Sequence, residues 1–205
     1  MIKQTLFLVF IISAFAVKAQ EFPSEIWHKG MLVLVNEDTL VGKIKYNLDQ
    51  ELVQVESDKK IYTFSGKKVF YFQIFDETVD SYREFYVLPY ALVNQYETPI
   101  FFEVLVEGRL TLLCREKIID KTVQDPNYIN AYGSAISYSR KVLVYTYYFL
   151  DDKGIITKYS LKKKDLLKIL AKRADKVDEY MRVNNLRADK RYDLSRIIAF
   201  YNGII

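Results

Sequence analysis

One cysteine, one histidine, one tryptophan and seven glycines stand in a chain of 205 residues, and each scarcity removes a class of chemistry. With Cys114 alone there is no internal disulfide, so packing must hold the fold. Zinc sites need several Cys or His ligands, and His28 with Cys114 cannot complete one. A hydrolase triad needs a base matched to its nucleophile, usually a histidine held by a third group. Only His28 is available, beside Trp27 on a lead-in arm, where a surface or capping role is expected. No glycine-rich turn opens a helix, which leaves no phosphate cradle. Asp76, Glu77 and Asp80 lack the spacing of a calcium loop and read as a polar turn. We therefore expect no catalytic residues, no metal and no cofactor.

Long apolar runs are also scarce. The one present extends from Leu6 to Val17, broken only by Ser13, after the cation of Lys3 and before small residues near Ala19. That pattern reads as an export signal; it is too short for a membrane span, which needs roughly twenty apolar residues. Cleavage after Ala19 is expected. The mature chain then starts at Gln20 with no transmembrane segment, and the destination is periplasmic or secreted. Cys114 lies far from the cleavage site, which argues against a lipid anchor.

The formal net charge is +4, but it is unevenly placed. Residues 160–205 hold twelve Lys or Arg against six Asp or Glu, and residues 20–159 hold sixteen against twenty. The expectation is a basic helical cap docked on an acidic sheet, or simply solvated helix faces. Nucleic acid is not expected as a partner, because an exported chain does not meet it and acidic residues interrupt the run through Arg182, Arg187, Lys190, Arg191 and Arg196.

What is abundant is aromatic and β-branched sequence with a period of two. Strands are expected at 30–36, 39–46, 52–56, 60–64, 69–75 and 82–88, the last stopping at Pro89. Residues 99–115 form a hairpin around Glu107-Gly108, apolar on both faces and hence central. In the simplest register Glu103 faces Leu112 on an apolar face, a buried-carboxylate candidate whose pKa desolvation would raise. Further strands are expected at 142–150 and 155–159. From Ser160 the period changes to that of helices, with a stripe of Leu166, Leu170, Ala174, Val177 and Met181, then a last helix carrying Leu194, Ile197, Ile198 and Tyr201. The fold class is α+β: an antiparallel meander of roughly eight to ten strands, curled into a half-barrel or sandwich and capped by C-terminal helices. The organisation is a signal at 1–19, a β domain at 20–159 and a helical cap at 160–205.

Between these elements, residues 118–141 lack sustained periodicity and read as a long loop. Tyr128, Tyr132 and Tyr138 lie within it with no packing role written in the sequence, which makes them the candidate contact surface for a ligand or partner.

The opening GMLVLVNEDTLVGKI at 30–44 is an apolar strand, an acidic turn ending Asp38-Thr39-Leu40, then Gly42-x-Ile44. Together with FEVLVEGRLTL at 102–112 and DLSRIIAFYN at 193–202, it resembles small exported β-rich proteins of unassigned function from Bacteroidota-type bacteria. The resemblance implies a Gram-negative envelope or secreted location and a β-rich fold, and brings no activity with it. The segment 118–141 departs from the pattern. The functional expectation is a non-catalytic binding or structural module of the envelope, whose partner is a protein, glycan or lipid. The alternative is a periplasmic carrier that holds an apolar or lipid-like molecule between sheet and helices.

Overall fold

The computed structural model describes residues 21–92, 95–129 and 135–205, with the side chains of 125–129 and 135–136 outside that description. The signal expected at 1–19 falls outside the described residues. Ten strands form one antiparallel sheet: β1 (His28–Leu34), β2 (Thr39–Asn47), β3 (Leu52–Ser57), β4 (Lys60–Ser65), β5 (Val69–Asp76), β6 (Ser81–Tyr90), β7 (Thr98–Val106), β8 (Thr111–Ile129), β9 (Ala135–Leu150) and β10 (Ile156–Lys158). Three helices follow, α1 (Lys163–Ile169), α2 (Ala174–Val183) and α3 (Arg191–Gly203). The expected α+β meander with a helical cap is what the chain forms, and the sheet does not close.

The spatial order, β10-β9-β8-β7-β6-β5-β1-β2-β3-β4, contains one jump, from β4 at the edge to β5 on the far side of β1. Only Gly66, Lys67 and Lys68 make that connection. Four strand spacings in a flat sheet come to about 19 Å, whereas the four virtual bonds from Ser65 to Val69 reach at most about 14 Å. The first five strands must therefore curl until β4 approaches the start of β5. Lys68 N donates to Ser65 O at 2.9 Å and its own carbonyl accepts from Val35 N at 3.0 Å, which pins the link. Gly30 and Gly42 face each other across β1 and β2. A Cβ would stand 2.1 Å from Gln73 O at Gly30 and 2.0 Å from Glu56 O at Gly42, so this row of the curl admits only glycine.

Inside the curl pack Leu32, Ile44, Val53, Val55, Phe72, Ile74, Phe85 and Phe101, all fully buried. The Phe72 and Phe85 rings stack at 4.5 Å. A second core lies under the helices, where Leu112, Cys114 and Phe149 of the sheet meet Leu166, Leu170, Val177, Met181, Leu194, Ile197 and Ile198. The helical stripe read from sequence is the buried one. Lys162, Arg173 and Lys190 occupy the N-cap positions, none with a side-chain capping bond. Ser160 instead donates to Asp165, and Asp189 pairs with Arg187. Asn202 ties α3 to the β7–β8 turn, its side chain accepting from Leu110 N at 3.1 Å and donating to Leu110 O at 3.0 Å.

Three expectations need correction. The central hairpin is wider than Glu107-Gly108: Glu103 pairs with Cys114, Val104 with Leu113 and Val106 with Leu112, with a register shift at Leu105. The two-residue offset preserves side-chain parity, so Glu103 keeps the face expected for it. β6 continues through Pro89, which stands opposite Pro99; a pair that exchanges no backbone hydrogen bond tolerates two prolines. The segment 118–141 is no loop over its described length. β8 and β9 pair without interruption from Thr111↔Leu150 to Asp125↔Ile136. An exposed two-stranded ribbon needs no apolar alternation, because it has no buried face to specify.

Candidate functional site

Between the two cores lies a row of charged side chains on the inner face of the sheet. Arg83 follows the buried face of β6 two residues before Phe85, and Glu103 stands opposite Phe85 on β7. Glu116 comes two residues after Cys114 on β8, and Asp76 closes β5. Curling brings β2 over β8, so that Tyr46 reaches across to the same place. Arg83, Glu103, Glu116 and Asp76 are each at most 6% exposed.

Every N–H of the Arg83 guanidinium has a partner. Nε and Nη2 grip both oxygens of Glu103 at 2.8 and 2.9 Å, Nη2 also donates to Glu116 Oε2 at 2.8 Å, and Nη1 donates to Asp76 Oδ2 and Tyr46 Oη at 3.0 Å each. Tyr46 in turn donates to Glu116 Oε1 at 2.6 Å. Arg191, the first residue of α3, reaches the other side of Glu103 with bonds of 3.0 and 2.5 Å. Two forked guanidiniums therefore clamp one carboxylate, the geometry for which arginine is suited and lysine is not.

Electrostatics follow from this pairing. Burial alone would raise Glu103, but the hydrogen bonds and charges of Arg83 and Arg191 outweigh it and hold the carboxyl below its ordinary value. Burial likewise acts upward on Asp76, and bonds from Thr78 and Arg83 bring it down. Burial opposes the charge on Arg83, and Glu103 more than offsets it, so the guanidinium stays protonated. The upward shift expected for Glu103 is thus reversed, because its desolvation comes with two cations. A carboxylate that accepts four N–H donors has no lone pair aimed at a substrate, and Glu103 is unsuited to acid or base catalysis.

Replacing Tyr46 with phenylalanine removes one hydroxyl from this arrangement and leaves Glu116 Oε1 without that donor. A loss of about 1.5–3 kcal/mol is expected, the usual worth of a hydrogen bond to a charged group, measurable as a lower urea midpoint with an unchanged slope.

A cleft of about 540 Å³ opens beside the network, bounded by Asp76, Arg83 and Glu103, by Tyr82 and Tyr145, and by Arg191 and Tyr192 of α3. On the other side, Tyr46 and Glu116 border a cleft of about 380 Å³ at the root of the β8–β9 ribbon, together with Ile118 and Leu143.

The ribbon is the second candidate. β7 bonds β8 only as far as Cys114 and β10 bonds β9 only at 148–150. From Lys117↔Val144 to Asp125↔Ile136, nine successive pairs have no flanking strand among the described residues. That length is about 30 Å. By register, one face carries Ile119, Val123, Tyr138, Val142 and Val144 with Lys117, Lys121 and Arg140, and Lys121 lies directly opposite Arg140.

The candidates read from sequence fall as follows. Tyr138 is on this ribbon face and 47% exposed. Tyr128 is within β8, its side chain outside the description, and Tyr132 lies outside the described residues altogether. Glu103 is 2% exposed at the heart of the ionic network, far from those tyrosines in sequence. His28 is not on a surface arm: it begins β1, is 3% exposed, and its Nε2 bonds to Pro23 O at 2.7 Å. Cys114 is fully buried, and burial pushes its thiol up, away from the reactive thiolate. Sequence reading missed Arg83, Arg191 and Glu116. The signal available was a charge recurring at period two on faces that otherwise carry Phe85 or Leu112 and Cys114.

Compared with family models, curated proteins and solved structures, the chain matches none. Among the described residues no helix is long and apolar enough to cross a membrane, and no three His, Cys, Asp or Glu side chains group as metal ligands.

Proposed function

We propose that this chain is an exported protein of the cell envelope, periplasmic or secreted, that acts as a non-catalytic binding module with the β8–β9 ribbon as its contact arm. The observation that carries the reading is the ribbon itself. A two-stranded hairpin is marginal alone in water, yet this one extends nine pairs beyond its last flanking strand, and among the described residues no strand pairs with either of its edges there, which leaves them for an added strand. The directly opposed Lys121 and Arg140 repel each other, and an acidic group from a partner relieves that repulsion. The partner is therefore a protein with an acidic segment that lies along the ribbon. The fully paired ionic network supports a scaffold role for the body, and the pattern at residues 1–19 supports export.

The carrier alternative finds less support. The space between sheet and helices, where it would place an apolar molecule, is filled by Leu112, Phe149, Leu166, Leu170, Val177 and Ile197.

A photo-crosslinking residue at position 138 tests the reading in cells. A discrete adduct of higher mass is expected there, absent with the same residue at Val183 on α2. Equal labelling at both positions, or none at 138, contradicts it. Sequencing the exported protein should find Gln20 as the first residue.

A further inference from the structure

The 540 Å³ cleft beside Arg191 falls in the size range of small-ligand sites, and the ribbon reading makes no use of it. Its four charged walls balance, Arg83 and Arg191 against Asp76 and Glu103, so it offers no net attraction to an ion of either sign. Two of its walls are exposed tyrosines: Tyr82, 66% exposed, meets Phe75 edge to face at 5.1 Å, and Tyr192, 73% exposed, has the Arg196 guanidinium 5.8 Å from its ring centroid. Tyr145 lies deeper, its ring under the Arg191 guanidinium at 5.0 Å.

Hydrogen-bonding capacity remains on the polar groups. Arg191 uses three N–H groups, two toward Glu103 and Cys114 from Nη1 and one toward Glu103 from Nη2. Its Nε–H and one Nη2–H have no partner among the described residues. Ser81 and Ser195 donate their hydroxyl protons to backbone carbonyls, leaving oxygen lone pairs as acceptors. The ionic network fixes Arg191 in place, so its free donors are presented without ordering cost.

We propose that this cleft is a saccharide site, which takes a neutral mono- or disaccharide by stacking the C–H face of a sugar ring on Tyr82 and Tyr192 and by bonding its hydroxyls to Arg191, Ser81 and Ser195. Rigid aromatic walls, pre-ordered planar donors and balanced charge suit a polyhydroxyl ligand; an apolar ligand would strand the donors, and an anion would meet Asp76 and Glu103.

The test is a protein-observed NMR titration of the mature chain with maltose, cellobiose and the disaccharide of N-acetylglucosamine, with glucuronate and inorganic phosphate as anionic probes. At least one neutral sugar should give saturable shifts centred on Tyr82, Tyr145, Tyr192 and the Arg191 Nε–H. Tyr192→Ala, and Tyr82→Ala with a small drop in thermal midpoint from the lost Phe75 contact, should each stay folded and weaken binding roughly three- to tenfold. No saturable shift with any neutral sugar at millimolar concentration overturns the assignment. So does binding confined to the anions, or sugar binding that both alanine variants leave intact. The ribbon reading stands or falls separately, on the crosslink at position 138.

Discussion

Replacing Arg83 with methionine is expected to destabilise the protein by about 3–5 kcal/mol, the cost of breaking a buried ion pair by removing one partner. Methionine keeps an unbranched apolar stem but lacks three heavy atoms of the arginine side chain, so the loss combines charge and donors with a small cavity. Asp76, Glu103 and Glu116 then share a buried region in which Arg191 is the remaining cation of the network. Against a typical total of about 5–15 kcal/mol, such a loss takes a large part of the margin. Arg83→Lys should fall between, since one ammonium cannot fork onto Glu103 while reaching Glu116 and Asp76. Urea unfolding followed by circular dichroism measures both. A methionine variant as stable as the parent would show that the network carries no weight in the fold.

Acid should weaken the parent protein for the same reason. Asp76 and Glu103 are held below their ordinary values of 3.8 and 4.5 in the folded chain. As pH falls, the unfolded chain takes up these protons first. The stabilisation is therefore complete above about pH 5, declines through the ordinary carboxylate range and is lost once the pH passes the lower folded values. Glu51 acts in the opposite sense, because burial raises it despite its bonds from Arg115 and Phe101; it offsets part of the loss from Asp76 and Glu103, to which the exposed Asp165 and Asp189, held down by Ser160 and Arg187, add in the same direction. The urea midpoint should be flat from neutrality to about pH 5 and fall below it. In the Arg83→Met variant the trend should shrink or invert, since carboxylates buried without their cation gain from protonation. A parent midpoint that rises on acidification would contradict the pairing described here.

The period-two pattern was enough to reveal most of the sheet, and the switch to a helical period revealed the stripe under the cap, because both are dictated by burial on one face. The buried Arg83 on β6 and Arg115 on β8, and the half-buried Arg191 at the start of α3, were harder to place. Each meets a carboxylate remote in sequence: Arg83 meets Glu103 twenty residues on, Arg115 meets Glu51 and Arg191 meets Glu103 from 88 residues away. Such pairs depend on the curl, and the curl follows from a three-residue link whose consequence appears only once β5 is known to lie beside β1. The ribbon was misread for a different reason. A loop and a solvated two-stranded arm share polar composition, and what distinguishes them, the cross-strand pairing of 117–125 with 136–144, leaves no hydrophobic period. Glu103 was found by its face, and its protonation behaviour was not, since that required both arginines.

In the proposed function the ribbon makes the contact and the body supports it. The most direct test removes residues 121–140 and joins Asp120 to Lys141 through Asn-Gly, which keeps an opposed pair beside a two-residue turn. Thermal unfolding and the size of the native complex extracted from the envelope are then measured on the same variant. The account predicts an unfolding midpoint close to that of the parent and loss of the larger complex. A complex that survives the deletion, with the body folded, would contradict it.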